Sequence, residues 1–85
     1  MAIIRMKLFA SARDIAGGRG EITLEFTEGA TITVSDLKER ALQTYPKLAQ
    51  IPFVFAINYK IVSKLEAIAI TPYDEIALLP PINGG

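Results

Sequence analysis

Apolar and polar side chains alternate strictly in two places near the start of the chain. From Ile3 to Phe9, Ile4, Met6 and Leu8 fall on one side, and Ile3, Arg5, Lys7 and Phe9 on the other. A period of two belongs to a strand with one buried face, and it predicts that Ile4, Met6 and Leu8 point into the core. Ile22, Leu24 and Phe26 alternate in the same way against Glu21, Thr23 and Glu25, which predicts a second strand paired with the first as a hairpin. The stretch from Ala10 to Gly18 reads as a short loop or single helical turn closed by Gly17-Gly18 and reinforced by Gly20. Glycines at this density can imitate a phosphate cradle. No Gly-Lys-Ser/Thr follows them, however, and the next element is a strand rather than a helix, so a plain turn is the reading.

The period changes after Gly29. Thr33 has Asp36 three positions on, close to the Thr-x-x-acid pattern that closes a helix N-terminus, and Asp36 and Glu39 sit early, where the helix dipole favours acids. A helix is predicted to about Thr44, with Val34, Leu37, Ala41 and Tyr45 as its apolar stripe and Lys38, Glu39, Arg40 and Gln43 toward water. Pro46 stops it, and Leu48 and Ile51 tuck the next turn onto the core. The apolar run from Phe53 to Ile57 predicts a strand, with Phe53, Phe55 and Ile57 toward the helix and Val54 and Ala56 outside. Asn58-Tyr59 turns the chain into a short strand from Lys60 to Val62. A brief edge piece is expected between Glu66 and Ile70. Thr71-Pro72-Tyr73-Asp74 makes a turn with proline at its favoured second position, and Glu75 to Leu79 forms the last strand. The order β, β, α, β, short β, β gives an α+β class. It is the order of a β-grasp, ubiquitin-like fold: a mixed sheet of four or five strands covered on one face by one main helix. That the first and last strands lie parallel comes from analogy with that fold. A ferredoxin-like fold would need a second long helix.

Composition narrows the function classes. With 85 residues the chain is sized for one domain, and its 51% apolar content supports a real core. Nine basic and nine acidic residues cancel, and no Lys/Arg run stands out, which disfavours a nucleic-acid or anionic-membrane surface. No secretory leader or membrane-length apolar run is apparent, so a cytoplasmic location is expected. Cysteine and histidine are both absent. That removes disulfides, thiolate nucleophiles, zinc sites built on those ligands and the usual base of hydrolytic triads, and no metal site is expected. Asp74-Glu75 could pass for a catalytic carboxylate pair, but adjacent residues at a strand start point to opposite faces.

The chemistry points to the other end. Asp74-Glu75-Ile76-Ala77-Leu78-Leu79 runs into Pro80-Pro81, which cannot continue a ladder, and then into Ile82-Asn83-Gly84-Gly85. Residues 1–79 read as the folded domain and residues 80–85 as a flexible tail. Six extended residues reach roughly 20 Å, enough to enter a partner's active site. The glycines carry no Cβ to obstruct passage. A free α-carboxylate is an anion at neutral pH and a poor electrophile, so it reacts only once activated, for instance by adenylation. Ile76 and Leu78 share the core face, which puts Ala77 and Leu79 on the uncovered face, with Ile3 and Phe9 expected beside them as an apolar partner surface.

Three stretches resemble the molybdopterin synthase small-subunit family: Leu8-Phe9-Ala10-Ser11-Ala12-Arg13-Asp14-Ile15-Ala16-Gly17, Ala56-Ile57-Asn58, and the block from Asp74 to Gly85. The resemblance implies a β-grasp sulfur carrier for molybdenum cofactor biosynthesis. In such a carrier Gly85 is adenylated by a ubiquitin-activating-type adenylyltransferase that uses ATP, then converted to a thiocarboxylate. The tail next threads into the large synthase subunit, where its sulfur passes to a pterin precursor. The chain would bind no cofactor itself and would act as the non-catalytic donor subunit of a heteromeric sulfurtransferase. On this resemblance Gly85 carries the sulfur, Gly84 allows passage, and Pro80 and Pro81 set direction. Asn83, Ile82, Leu79, Ala77 and Phe9 complete the partner-binding set, and Arg13 falls at the activating-enzyme contact, although an exposed Arg beside Asp14 is more often a solvated surface pair. The chain departs from the family pattern at Leu79, where phenylalanine is frequent, and at Tyr59, where a small or polar residue usually follows the asparagine. Both departures bear on partner choice. Two alternatives share the activation step: a thiamine sulfur carrier, or a ubiquitin-like modifier joined through Gly85 to a protein amine.

Overall fold

A computed structural model describes residues 1–62 and 68–81. The elements follow in the order β1 (Ala2–Leu8), α1 (Ala10–Ile15), β2 (Glu21–Phe26), β3 (Ile32–Thr33), α2 (Val34–Thr44), a 3-10 turn (Pro46–Gln50), β4 (Val54–Ile57), β5 (Lys60–Val62), β6 (Ala69–Ile70) and β7 (Ile76–Leu79). The main sheet runs β2-β1-β7-β4-β5. β1 and β7 are parallel, with Met6 beside Ile76 and Leu8 beside Leu78, and the other pairings in this sheet are antiparallel. This is the mixed, one-helix α+β sheet expected from the pattern.

The core follows the alternation. Ile4, Met6 and Leu8 of β1, Ile22 and Leu24 of β2, Phe55 of β4, and Ile76 and Leu78 of β7 are buried on the face that α2 covers with Val34, Leu37 and Ala41. No polar or charged side chain among the described residues is buried. The capping box at Thr33 is present in full. Thr33 N donates to Asp36 Oδ2 at 2.9 Å and Asp36 N to Thr33 Oγ1 at 3.2 Å, so two amides at the helix start are satisfied reciprocally. After α1 the chain reverses through Gly17 and Gly18, both at positive φ, with Gly18 N donating to the Arg13 carbonyl at 2.9 Å.

Several details differ from the sequence expectations. The residues after Phe9 form a six-residue helix rather than a loop or single turn. The piece expected between Glu66 and Ile70 does not join the main sheet. Its described part, β6, pairs with β3 as a separate two-stranded ribbon that carries Ile32 and Ile70 into the core. The fourth and seventh strands each start one residue later than expected, at Val54 and Ile76. Arg40 does not simply face water: it is half-buried, its guanidinium stacks 4.8 Å from the Phe26 ring, and it donates to the Glu25 carbonyl on the β2 edge.

Candidate functional site

β7 carries the chain to Pro80-Pro81, and its place inside the sheet holds it on both sides. It is bonded on both sides, to β1 and to β4, with Ala77 opposite Ala56 and Leu79 opposite Val54. Its start is also tied. Asn58 Nδ2 donates to Asp74 Oδ1 and Glu75 N to Asn58 Oδ1, both at 2.9 Å, while Asn58 N donates to the Glu75 carbonyl at 2.8 Å. Asp74 Oδ2 accepts in turn from Thr71 N at 2.8 Å. The β4–β5 turn and the turn before β7 are thereby stitched together. The Asn58 amide and then the Thr71 amide, both donating to the Asp74 carboxylate, hold its pKa below the usual aspartate range.

At the far end of β7, Pro80 is exposed and Pro81 half-buried. Two apolar grooves meet there and share Phe9 and Leu79. One wraps around the strand end, lined by Ser11, Ala12, Pro52 and Phe53 together with the two prolines. The other, of about 340 Å³, runs along the open face of the sheet away from α2, with Ala56, Ala77 and Ile61 along it and Lys7, Glu75 and Tyr59 among its borders. Interaction with the Glu75 carboxylate, by hydrogen bonding and then by charge, raises the Tyr59 phenol above its ordinary value.

Of the expected site residues, the structure brings Phe9, Ala77, Leu79, Pro80 and Pro81 together at this strand end. Ile82, Asn83, Gly84 and Gly85 lie outside the described residues. Arg13 is exposed on α1 and borders neither groove. It forms no ion pair with Asp14, its Nε donating instead to the Gly18 carbonyl at 3.2 Å. Ile3, expected beside Ala77 and Leu79, stands opposite Glu25 instead, because β7 starts level with Met6 and the parallel pairing never reaches Ile3. Ala56 does lie on the open face but is buried at 6% exposure, shaded by larger neighbours. Sequence reasoning flagged Tyr59 for partner choice without placing it on this face, and it missed Ile61. A two-residue turn at Asn58-Tyr59 fixes the hairpin register and sets Ile61 directly opposite Ala56, so the signal was present.

Comparison with known proteins places these features in a family. Residues 6–85 match the model described as the ThiS family. The chain is 33% identical over 84 residues to a protein of Chlamydomonas reinhardtii named molybdopterin synthase sulfur carrier subunit, a match covering 96% of this chain and 98% of that one. A Pyrococcus furiosus structure, described as a candidate molybdopterin converting factor subunit 1, superposes with a TM-score of 0.77 at 26% identity, over 96% of this chain and all of that one. The small archaeal modifier protein 1 of Methanosarcina acetivorans superposes with a TM-score of 0.72 at 28% identity, over all of this chain and 98% of that one.

Proposed function

The chain belongs to the ThiS family, and on that premise we propose that it is the sulfur carrier subunit of a molybdopterin synthase. The observation that carries this reading is the full-length similarity to a relative of that name. The geometry supports it. The strand that leads to the tail is clamped inside the sheet and ends at a proline pair flanked by apolar grooves, which suits a domain gripped by its body while its terminus enters another protein's site.

The chemistry resides on Gly85. A partner adenylyltransferase joins its carboxylate oxygen to the α-phosphate of ATP and pyrophosphate leaves. Sulfide delivered by a donor then attacks the acyl adenylate carbonyl, AMP departs, and the product is a terminal thiocarboxylate. That sulfur passes to a pterin precursor held by the large synthase subunit, and water cleaves the acyl–sulfur bond and restores this chain's carboxylate. The absence of cysteine follows naturally, since the cargo rides on the main-chain terminus. Gly84 and Gly85 leave the bare backbone that a narrow channel requires. The open-face groove from Phe9 to Ile61 is the docking surface for the large subunit. Arg13 is the contact for the activating enzyme, and the cycle runs in the cytoplasm. No helix among the described residues is long and apolar enough to cross a membrane.

Incubation with the activating enzyme, ATP and a sulfur donor should replace one oxygen by one sulfur in the intact mass. Deleting Gly85 should abolish that change. A mass change that persists after the deletion would show that Gly85 does not carry the sulfur.

A further inference from the structure

Three non-glycine residues among those described have positive φ: Ala10 at 53°, Asn58 at 51° and Tyr59 at 70°. Asn58-Tyr59 stands at one end of the open-face groove, and Ala10 lies near the other without lining it. Ala10 follows Phe9 where the tail leaves, and Asn58-Tyr59 forms the turn at the opposite end. Asn58 is at home in a left-handed turn position, and glycine is the residue such a hairpin favours next. A tyrosine there is strained, because its Cβ crowds the backbone in the left-handed region.

Burial does not offset that strain, since Tyr59 is 86% exposed. The turn that carries it is nevertheless held in a defined place. The Asn58 hydrogen bonds to Asp74 and Glu75 fix the turn, and the ring stands on the groove border beside Ile61 and Glu75. Strain retained in a free domain without folding benefit is characteristic of sites that act on something else. Tyrosine is among the residue types most enriched as binding anchors once a partner covers the surface around it. Tyr73 serves as a contrast. It is 95% exposed, lacks positive φ, and borders a polar cleft with Arg5, Lys7 and Glu21 instead.

We propose that Tyr59 is a specificity-determining anchor on the docking face, taken into an apolar pocket of the large synthase subunit. This rests on the functional reading above. The partner is argued from continuity. A protein that receives the tail must cover Leu79, and from there one groove leads along β7 to Tyr59 beside Glu75, four residues of strand or roughly 13 Å away. The relative is named a subunit, and a resident partner suits so long a contact better than a passing one.

The test compares Tyr59→Gly, Tyr59→Phe and Tyr73→Ala with the parent chain. Three quantities are measured: affinity for the large subunit by calorimetry, urea midpoint, and the mass change made by the activating enzyme. Tyr59→Gly should weaken large-subunit binding about tenfold or more while its urea midpoint stays the same or rises, and it should still be activated. Tyr59→Phe should bind within about threefold of the parent, and Tyr73→Ala should bind unchanged. Undiminished binding by Tyr59→Gly overturns the inference. So does a loss of binding that tracks a loss of stability, or one that Tyr73→Ala shares. A variant that binds the large subunit normally but is no longer activated assigns Tyr59 to the activating enzyme and overturns it as well. Failure of the parent chain to bind the large subunit overturns the functional reading and this inference together.

Discussion

Leu78 and Leu79 are adjacent, chemically identical and on opposite faces of β7, so truncating each to alanine separates folding from docking. Leu78 is fully buried between Leu8 of β1 and Phe55 of β4, both at 2% exposure. Leu78→Ala removes three carbons, worth about 2.4 kcal/mol at roughly 0.8 per buried methylene. A cavity term brings the total to about 3 to 4 kcal/mol, since strands bonded on both sides leave little room to collapse inward. In a domain of this size each kcal/mol moves Tm by about 4–8 °C, so Tm should fall by more than about 12 °C. Leu79 is half-buried on the open face and its loss leaves no closed cavity, so Leu79→Ala should cost about 1 kcal/mol or less. Its binding to the large subunit should nevertheless weaken about tenfold, because Leu79 lines both grooves at the tail exit. Urea denaturation and calorimetric titration of both variants decide the matter. Equal destabilisation by the two would refute the face assignment, and full-strength binding by Leu79→Ala would refute the docking face.

Two further outcomes follow from the hydrogen bonds and the backbone. Asp74 is held below its ordinary pKa in the folded state, so its carboxylate contributes stability that is present above the unfolded value of about 3.9 and lost as pH falls through the folded value. The urea midpoint of Asp74→Asn should therefore lie below that of the parent at pH 7, and the gap should close as pH is lowered below about 4; a gap independent of pH would show that the charge is not involved. At Ala10, the left-handed conformation costs roughly 1–2 kcal/mol and glycine's extra unfolded-state entropy returns roughly 0.5–1 of that, so Ala10→Gly should raise stability by about 0.5 to 1 kcal/mol. A lowered urea midpoint for this variant would contradict the assigned backbone.

Most of the fold was legible because each long element announces itself locally. The alternation at Ile4, Met6 and Leu8 and at Ile22 and Leu24 needs only neighbouring residues to be read, and the Thr33–Asp36 box marks the start of α2 within one turn. The parallel pairing of β1 with β7 was available only through analogy of fold, because nothing in either strand names its partner. The β3–β6 ribbon was illegible for a different reason: two residues are too few to show a period, and what holds the ribbon is the burial of Ile32 and Ile70 in a core assembled by the rest of the chain. Register produced the remaining errors. Alternation told which face Ile3 occupies but not how far along β1 the last strand begins. It also placed Ala56 on the open face without revealing that its short side chain would be shaded by larger ones.

At the site, the residues that sequence reasoning found and those it missed differ in kind. Pro80 and Pro81 stand out in one dimension, through residue type and order alone, as does the glycine pair, which lies outside the described residues. Ile61 and Tyr59 become site residues only once the hairpin folds them back beside Ala56 and Ala77. The division is physical. A reactive terminus is specified by what it is, whereas a recognition surface is specified by which strands lie side by side. The strained backbone adds a constraint of its own, because Ala10 and Tyr59 each occupy a conformation that glycine would adopt at lower cost. Selection for stability alone would remove both side chains, and Ala10 borders no groove while Tyr59 does. Glycine at position 10 should therefore stabilise without functional loss, whereas glycine at position 59 should trade partner affinity for stability.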